Sequence, residues 1–174
     1  MYLISIYFDE ETEKKLMSYM NQVAKHTRND TMIAGNIPPH ITISSFYAKD
    51  NETAVRVFRR IAARASGGGV HWVSVGCFFP QVLFLSPIYN EYLHRLAVIA
   101  YDEICRTEGV SSSRYYQPFE WMPHTTLGKR FTPEQLVKAF QVMQNQFAPF
   151  VGRTVKIGLA KTNPYEDVEI FVLK

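Results

Sequence analysis

The chain alternates short β-type segments with amphipathic helical segments from its first residues onward. Tyr2–Phe8 is rich in β-branched and aromatic side chains, which is typical of a strand. Asp9 is a suitable N-cap, and apolar residues then recur at helical spacing, which predicts a helix over residues 10–27. An alternating segment, "HITISSF" at 40–46, predicts a second strand, and a second amphipathic pattern predicts a helix over 53–65.

The second half of the chain repeats this order of elements. Its predicted strands are Val82–Ser86, "HTTLGKR" at 124–130, Thr154–Lys161 and Val168–Leu173, and its predicted helices cover 90–106 and 133–147. The first half ends with a predicted strand over Val70–Phe79. Gly109 to Ser113 is predicted to be a loop, and "TNPYED" at 162–167 is predicted to be the turn between the last two strands. The last helix has a strong start, because Thr132 to Gln135 form a capping box with proline at the first helical position.

The order strand, helix, strand, helix, strand therefore occurs twice, approximately over 1–79 and 80–174. This repeat predicts one bilobal domain over residues 1–174 with an α/β (α+β) fold. We expect two antiparallel-type sheets related by a pseudo-twofold axis around a central cleft, with helices packed on the outer faces. A chance match of element order is the alternative interpretation.

Composition excludes several classes of protein. Hydrophobic residues make up 47% and charged residues 20%, as in an ordinary globular domain, and a net charge of +3 is too small to indicate non-specific nucleic-acid binding. Cys77 and Cys105 lie far apart, which argues against a disulfide scaffold or a cysteine zinc site. No basic leader and no apolar run of about 18 residues is found, so we expect a cytoplasmic protein without a membrane segment.

A short motif occurs once in each half. "IPPHITISSF" at 37–46 contains His40 and Thr42, and "WMPHTTLGKRF" at 121–131 contains His124 and Thr126, with the two histidines 84 positions apart. Strand alternation predicts two ligand-facing or solvent-facing sets of side chains. These sets are His40, Thr42, Ser44 and Phe46 in the first strand, and His124, Thr126, Gly128 and Arg130 in the second.

Two histidines and two threonines are suited to phosphoryl chemistry. Histidine exchanges a proton near neutral pH, so two of them on opposite sides of one phosphorus can serve as base and acid. The threonine hydroxyls can donate hydrogen bonds to the phosphate oxygens. A metal site is the other interpretation, but it requires further ligands at short spacing, and neither H-x-H nor H-x-x-x-H is present. We therefore predict no metal and no cofactor.

These paired motifs resemble the two-histidine (2H) phosphoesterase superfamily, in particular its bacterial branch of 2′-5′ RNA ligase-like proteins and cyclic phosphodiesterases. The second motif departs from the family pattern at Thr125, where an aliphatic residue is usual. The resemblance implies catalysis by His40, Thr42, His124 and Thr126 on RNA ends or small nucleotides with cyclic or 2′-5′ phosphodiesters. It implies no protein partner, and a monomer is expected. The sequence does not decide which histidine is the base, although His124 as base and His40 as acid is the preferred assignment.

Six further residues are predicted to bind substrate. Lys129 and Arg130 follow the second motif, and alternation favours Arg130 as the residue that faces the cleft, with a solvated charge as the alternative. Tyr116 and Phe119 precede the motif and could stack on a base, although packing under the loop is an equal alternative. Ser44 and Phe46 complete the set by their position on the first strand. The same site could run in reverse as a 2′-5′ RNA ligase, or it could bind phosphate or RNA without catalysis.

Overall fold

The computed structural model describes residues 1–162 and 165–174. The strands are β1 (Tyr2–Phe8), β2 (Ile41–Ala48), β3 (Gly68–Phe78), β4 (Val82–Pro87), β5 (Val110–Ser112), β6 (Thr125–Gly128), β7 (Phe150–Lys161) and β8 (Glu166–Val172). The helices are α1 (Glu10–Thr27), α2 (Thr31–Ala34), α3 (Asn51–Ala62), α4 (Glu91–Cys105) and α5 (Pro133–Gln146), with a short 3₁₀ turn at Arg114–Tyr116. The predicted mixture of helices and antiparallel strands is confirmed.

The strands of the described residues form one eight-stranded sheet in the order β5-β2-β1-β7-β3-β4-β6, with β8 also paired to β7. Every pairing is antiparallel. Two sheets were predicted, but strand β7 makes them continuous. Its 12 residues pair with β1 along one edge and with β3 and then β8 along the other. The prediction began this strand at Thr154 and therefore missed the part that contacts β3.

Local signals placed the starts of α1 and α5 correctly. The Asp9 side chain accepts a hydrogen bond from the backbone N–H of Thr12, which caps α1. Thr132 and Gln135 form the predicted capping box at the start of α5. Two short elements were not predicted, namely α2 and strand β5 within the expected loop. The predicted turn at 162–167 lies partly outside the described residues.

The strand order is symmetric under the predicted repeat. When β1, β2 and β7 are paired with β4, β6 and β3, the order β2-β1-β7-β3-β4-β6 reads the same from either end. The helices cross between the halves, because α1 packs against α5 and β6 while α4 packs against α3 and β2. The division into repeats over 1–79 and 80–174 stays a prediction.

The apolar faces of the sheet and helices share one buried core. Its largest fully buried side chains include Trp72, Phe46, Phe58 and Phe131. Trp72 stacks on Phe150 with ring centroids 4.8 Å apart. Within the described residues, no helix combines the length and the apolar composition needed to cross a membrane.

Candidate active site

The two histidines are held by the same hydrogen bond. His40 Nδ1 lies 2.7 Å from the carbonyl oxygen of Pro38, and His124 Nδ1 lies 2.9 Å from that of Met122. Because a carbonyl oxygen only accepts, Nδ1 must carry the hydrogen in both rings. Each Nε2 is therefore left to accept a proton when the ring is neutral or to donate one when it is charged.

The strand that follows each histidine contains a bulge at the same place. On β2, Thr42 lies opposite Ser5, but the next paired residue is Ser44, opposite Ile4. Strand β6 repeats this irregularity after its threonine. There Thr126 lies opposite Phe84, and Gly128 lies opposite Leu83. The extra residue, Ile43 or Leu127, shifts the register by one, and such a shift turns the following side chains to the opposite face.

This bulge overturns two predictions about the first strand. Beyond it, Phe46 lies opposite Tyr2 and stacks on it at 5.6 Å, fully buried in the core. Ser44 is also buried on the core side, opposite Ile4, and its hydroxyl has no partner among the described residues. Alternation had placed both side chains beside Thr42, so their assignment to substrate binding was wrong.

The bulge also changes the roles expected of the two basic residues. Simple alternation from Thr126 favoured Arg130 over Lys129, but the shift at Leu127 puts Lys129 on the face of the threonine. Lys129 is half-buried, whereas Arg130 is exposed and has a left-handed backbone with φ of 60°. The side chain of Asn29 holds this turn, because its amide donates to the carbonyl oxygens of both basic residues.

Three of the four motif residues line two cavities, whereas Thr42 lines neither. A cationic cavity of about 430 Å³ is lined by His40, Thr126, Lys129, Arg130 and Tyr165, among others. The first motif thus shares a cavity with the second, although β2 and β6 lie far apart in the sheet order. Another cavity, of about 520 Å³, lies between Asp9 and the segment Phe150–Arg153 and includes neither motif.

An aromatic cavity of about 330 Å³ lies beside the second histidine, lined by His124, Phe78, Tyr115, Tyr116 and Trp121, among others. Tyr116 lies between the two motifs, because it lines this cavity while its hydroxyl lies near the side chain of Thr42. Phe119 does not line either cavity. It lies on His94 of α4 at a centroid distance of 4.2 Å, so the structure does not support its assignment to substrate binding.

The electrostatics also indicate that the histidines are close. Burial lowers the pKa of His40, and the nearby charges of His124 and Lys129 lower it further. The hydrogen bond to Pro38 and the charge of Asp167 oppose this effect. Burial likewise lowers the pKa of His124. Both rings therefore favour the neutral form in the free protein.

Sequence reasoning missed Ser5 and Tyr7 on β1, and Tyr165. The hydroxyl of Ser5 lies 3.2 Å from that of Thr42, and the ring of Tyr7 lies 6.3 Å from that of His40. A signal was present, because Ser5 and Tyr7 alternate with apolar residues on a strand that otherwise faces the core. Tyr165 carried no comparable signal.

No group of three or more His, Cys, Asp or Glu side chains is gathered as a metal site would need, within residues 1–162 and 165–174. Metal independence stays a prediction.

Comparison with known proteins gives the family. A family model described as the 2′-5′ RNA ligase superfamily matches residues 14–165. The chain belongs to this superfamily. The resemblance to two-histidine phosphoesterases is thereby confirmed, and membership supports a phosphoesterase or ligase-like role.

Solved structures show the fold of this superfamily member. E. coli LigT complexed with 3′-AMP is 15% identical, with a TM-score of 0.63, over 99% of this chain and 97% of that chain. TT0787 of Thermus thermophilus is 17% identical, with a TM-score of 0.59, over the same shares of the two chains. No significant match was found among curated proteins.

The structure shows what Thr125 contributes at the position where this superfamily member departs from the family pattern. The Thr125 hydroxyl is fully buried and accepts a hydrogen bond from Trp72 Nε1 at 3.1 Å. An aliphatic residue at this position would leave the buried indole N–H without that acceptor. Threonine at this position therefore stabilises the core and leaves the spacing of His124 and Thr126 unchanged.

Proposed function

We propose that this protein is a metal-independent phosphoesterase that hydrolyses 2′,3′-cyclic phosphates at RNA ends, or small cyclic or 2′-5′-linked nucleotides. One observation carries the proposal. His40 and His124 have the same Nδ1 hydrogen bond, the same bulge after the threonine two residues on, and an Nε2 that is not used by that bond.

The reaction would be an in-line displacement at phosphorus. His124 Nε2 takes a proton from water as its oxygen forms the new P–O bond. The bond from phosphorus to one ribose oxygen breaks, and His40 Nε2–H gives its proton to that departing oxygen. Each proton transfer is typically worth about 10²–10⁴-fold in rate.

The threonines would hold the phosphoryl oxygens. The Thr126 hydroxyl opens into the cationic cavity and makes no side-chain hydrogen bond within the described residues. The Thr42 hydroxyl can accept from Ser5 while keeping its one hydrogen for a phosphate oxygen. Lys129 and Arg130 add positive charge beside that phosphate.

The two cavities suggest how a nucleotide would lie. Its phosphate would face the cationic cavity, and its base would enter the aromatic cavity and stack against Tyr116. LigT has been crystallised with 3′-AMP, with phosphate, with ATP and with NADP+, which supports a nucleotide ligand for this chain. The expectations of a monomeric, cytoplasmic protein stay predictions.

Turnover of a 2′,3′-cyclic nucleotide tests the proposal. We expect hydrolysis by the parent protein in the presence of EDTA, and a loss of about 10²–10⁴-fold in kcat/KM for His40→Ala and for His124→Ala. His26→Ala is a matched control, because His26 lies exposed on α1.

Three outcomes separate the alternatives. Nucleotide binding without turnover by the parent protein would favour a non-catalytic phosphate- or RNA-binding module. Joining of an RNA 5′-hydroxyl to a 2′,3′-cyclic end, lost in the same two variants, would favour ligation at this site. Loss of activity in EDTA that is restored by a divalent metal would overturn metal independence.

A further inference from the structure

Two hydrogen bonds lead from Tyr7, which packs beside the first histidine, to an acidic residue on the last strand. The hydroxyls of Tyr7 and Tyr165 are 3.0 Å apart, and the Tyr165 hydroxyl donates to Asp167 Oδ1 at 3.0 Å. Because Tyr165 gives its only hydrogen to the carboxylate, Tyr7 must donate to Tyr165. Burial raises the pKa of both tyrosines, so both remain protonated and can keep this arrangement.

The near end of this chain packs against His40. The ring of Tyr7 lies 6.3 Å from the imidazole, between centroids, at an interplanar angle of 49°. Gly158 on β7 leaves room for that ring, because a Cβ at this position would lie 2.8 Å from Tyr7 Cε2. The position of Tyr7 is thus fixed by the strand on one side and by the Tyr165 hydroxyl at its end.

Asp167 opposes the other charges around His40. Lys129 and His124 act against protonation of the ring, Arg130 lines the same cavity, and Asp167 acts in favour of protonation. His124 has different neighbours. The rings of Phe78 and Phe84 lie 4.8 and 5.4 Å from it, and no side-chain charge shifts its pKa within the described residues.

We propose that Asp167 is a positioning residue which, through Tyr165 and Tyr7, holds His40 in place and supplies the negative charge that favours its imidazolium form. His40 is then the group that protonates the departing ribose oxygen, and His124 is the group that takes the proton from water. The assignment of acid and base rests on the proposed phosphoesterase activity. The effect of Asp167 on the charge state of His40 does not.

The charge state can be measured without substrate. We expect an NMR titration of the His40 imidazole to move to lower pH in Asp167→Asn, which removes the charge and keeps an oxygen that can accept from Tyr165. Glu166→Gln is the matched control, since Glu166 lies on the same strand and does not shift the pKa of His40. An unchanged titration in Asp167→Asn, or an equal shift in both variants, would overturn the proposal.

The pH dependence of turnover tests the assignment of roles. The fall in kcat/KM at high pH reports loss of the proton from the acid, so Asp167→Asn should move that limb to lower pH and leave the low-pH limb in place. At pH values above this limb we expect kcat/KM of Asp167→Asn to be about tenfold below that of the parent. This loss is smaller than the 10²–10⁴-fold loss expected when the histidine itself is removed. Movement of the low-pH limb would reverse the two roles and overturn the assignment.

Tyr165→Phe tests the hydrogen-bonded chain separately from the charge of Asp167. This variant keeps Asp167 and the aromatic ring but removes the hydroxyl between Tyr7 and the carboxylate. We expect kcat to fall severalfold with little change in KM, while the high-pH limb stays near that of the parent. Parent-level kcat would show that the chain does not position His40. If the parent turns over no cyclic nucleotide, the proposed function fails, whereas the titration of His40 still tests the effect of Asp167.

Discussion

His40 and His124 each donate Nδ1–H to the carbonyl two residues before them, yet the side chains packed against the two rings differ. Tyr7 contacts His40, and the charges of Lys129 and Asp167 reach it. Phe78 and Phe84 contact His124. The backbone of the two motifs is therefore equivalent, while one ring lies in a polar environment and the other in an apolar one.

This difference would allow a symmetric motif to supply two different groups to the proposed reaction. The hydrogen bond and the bulge fix where each Nε2 lies, and the neighbouring side chains set how readily it holds a proton. The threonines differ in the same way. Thr42 is buried and hydrogen-bonded to Ser5, whereas Thr126 is partly exposed and lines the cationic cavity.

The largest effect that would sharpen this comparison is expected from the threonines. Thr126→Val should lower kcat by about 10²-fold, as loss of one preorganised donor does, and should leave the stability near that of the parent. Thr42→Val should lower kcat similarly and also lower the free energy of unfolding by about 1–3 kcal/mol, because the buried hydroxyl of Ser5 loses its partner. Steady-state kinetics measure kcat of both variants, and urea denaturation measures their free energies of unfolding. Equal stability of the two would contradict the difference in their hydrogen bonding.

The next test uses the glycines beneath the two neighbouring rings. A Cβ at Gly158 would lie 2.8 Å from the Tyr7 ring, and one at Gly76 would lie 2.7 Å from the Phe84 ring. Gly158→Ala and Gly76→Ala should each cost about 1–3 kcal/mol through overpacking. We expect the first to disturb the NMR signals of His40 more, and the second those of His124.

Gly69→Ala is the matched control for these variants, because it lies on β3 and its added Cβ would meet no atom within 4 Å. It should fold with parent stability and leave both histidine signals in place. If Gly158→Ala and Gly76→Ala disturbed both histidines equally, the two environments would not be separate.

Local patterns were sufficient to predict the longer elements and the motifs. The caps at Asp9 and Thr132 depend on residues within one helical turn, and strand alternation depends on neighbouring residues, so both can be read from a single sequence. The repeated His-x-Thr was informative for the same reason, because its spacing lies within one strand. These local features were enough to indicate the superfamily.

Features that depend on distant pairing were not predictable. The bulges at Ile43 and Leu127 exist only relative to β1 and β4, and they reversed the faces assigned to Ser44, Phe46 and Lys129. The joining of the sheet through β7 depends on pairings with β1, β3 and β8. Tyr165 reaches the cationic cavity only because β8 folds back on β7.

A smaller effect on stability is expected at Thr125, the position where the two motifs differ in sequence. Thr125→Val should lower the free energy of unfolding by about 1–3 kcal/mol, because the buried Trp72 N–H loses its acceptor. Adding Trp72→Phe to this variant removes the unsatisfied donor. The double variant should therefore be less destabilised than the sum of the losses in the two single variants. A double-mutant cycle by urea denaturation measures the coupling. Additive losses would show that the hydrogen bond is not what Thr125 provides.

The smallest effect concerns the pH dependence of stability, which compares the two histidines without substrate. Burial lowers the pKa of both in the folded state, so the unfolded chain binds protons more tightly as the pH falls below about 6.5, the ordinary value for histidine. The free energy of unfolding should therefore decrease as the pH falls through 6.5 toward the lowered pKa values, and change no further from this cause below them. His40→Gln and His124→Gln should each flatten the curve, and the double variant should flatten it most, while His26→Gln serves as a surface control. A curve unaffected by either motif variant would mean that the rings are not buried enough to lose protons on folding, and both environments described for them would then be wrong.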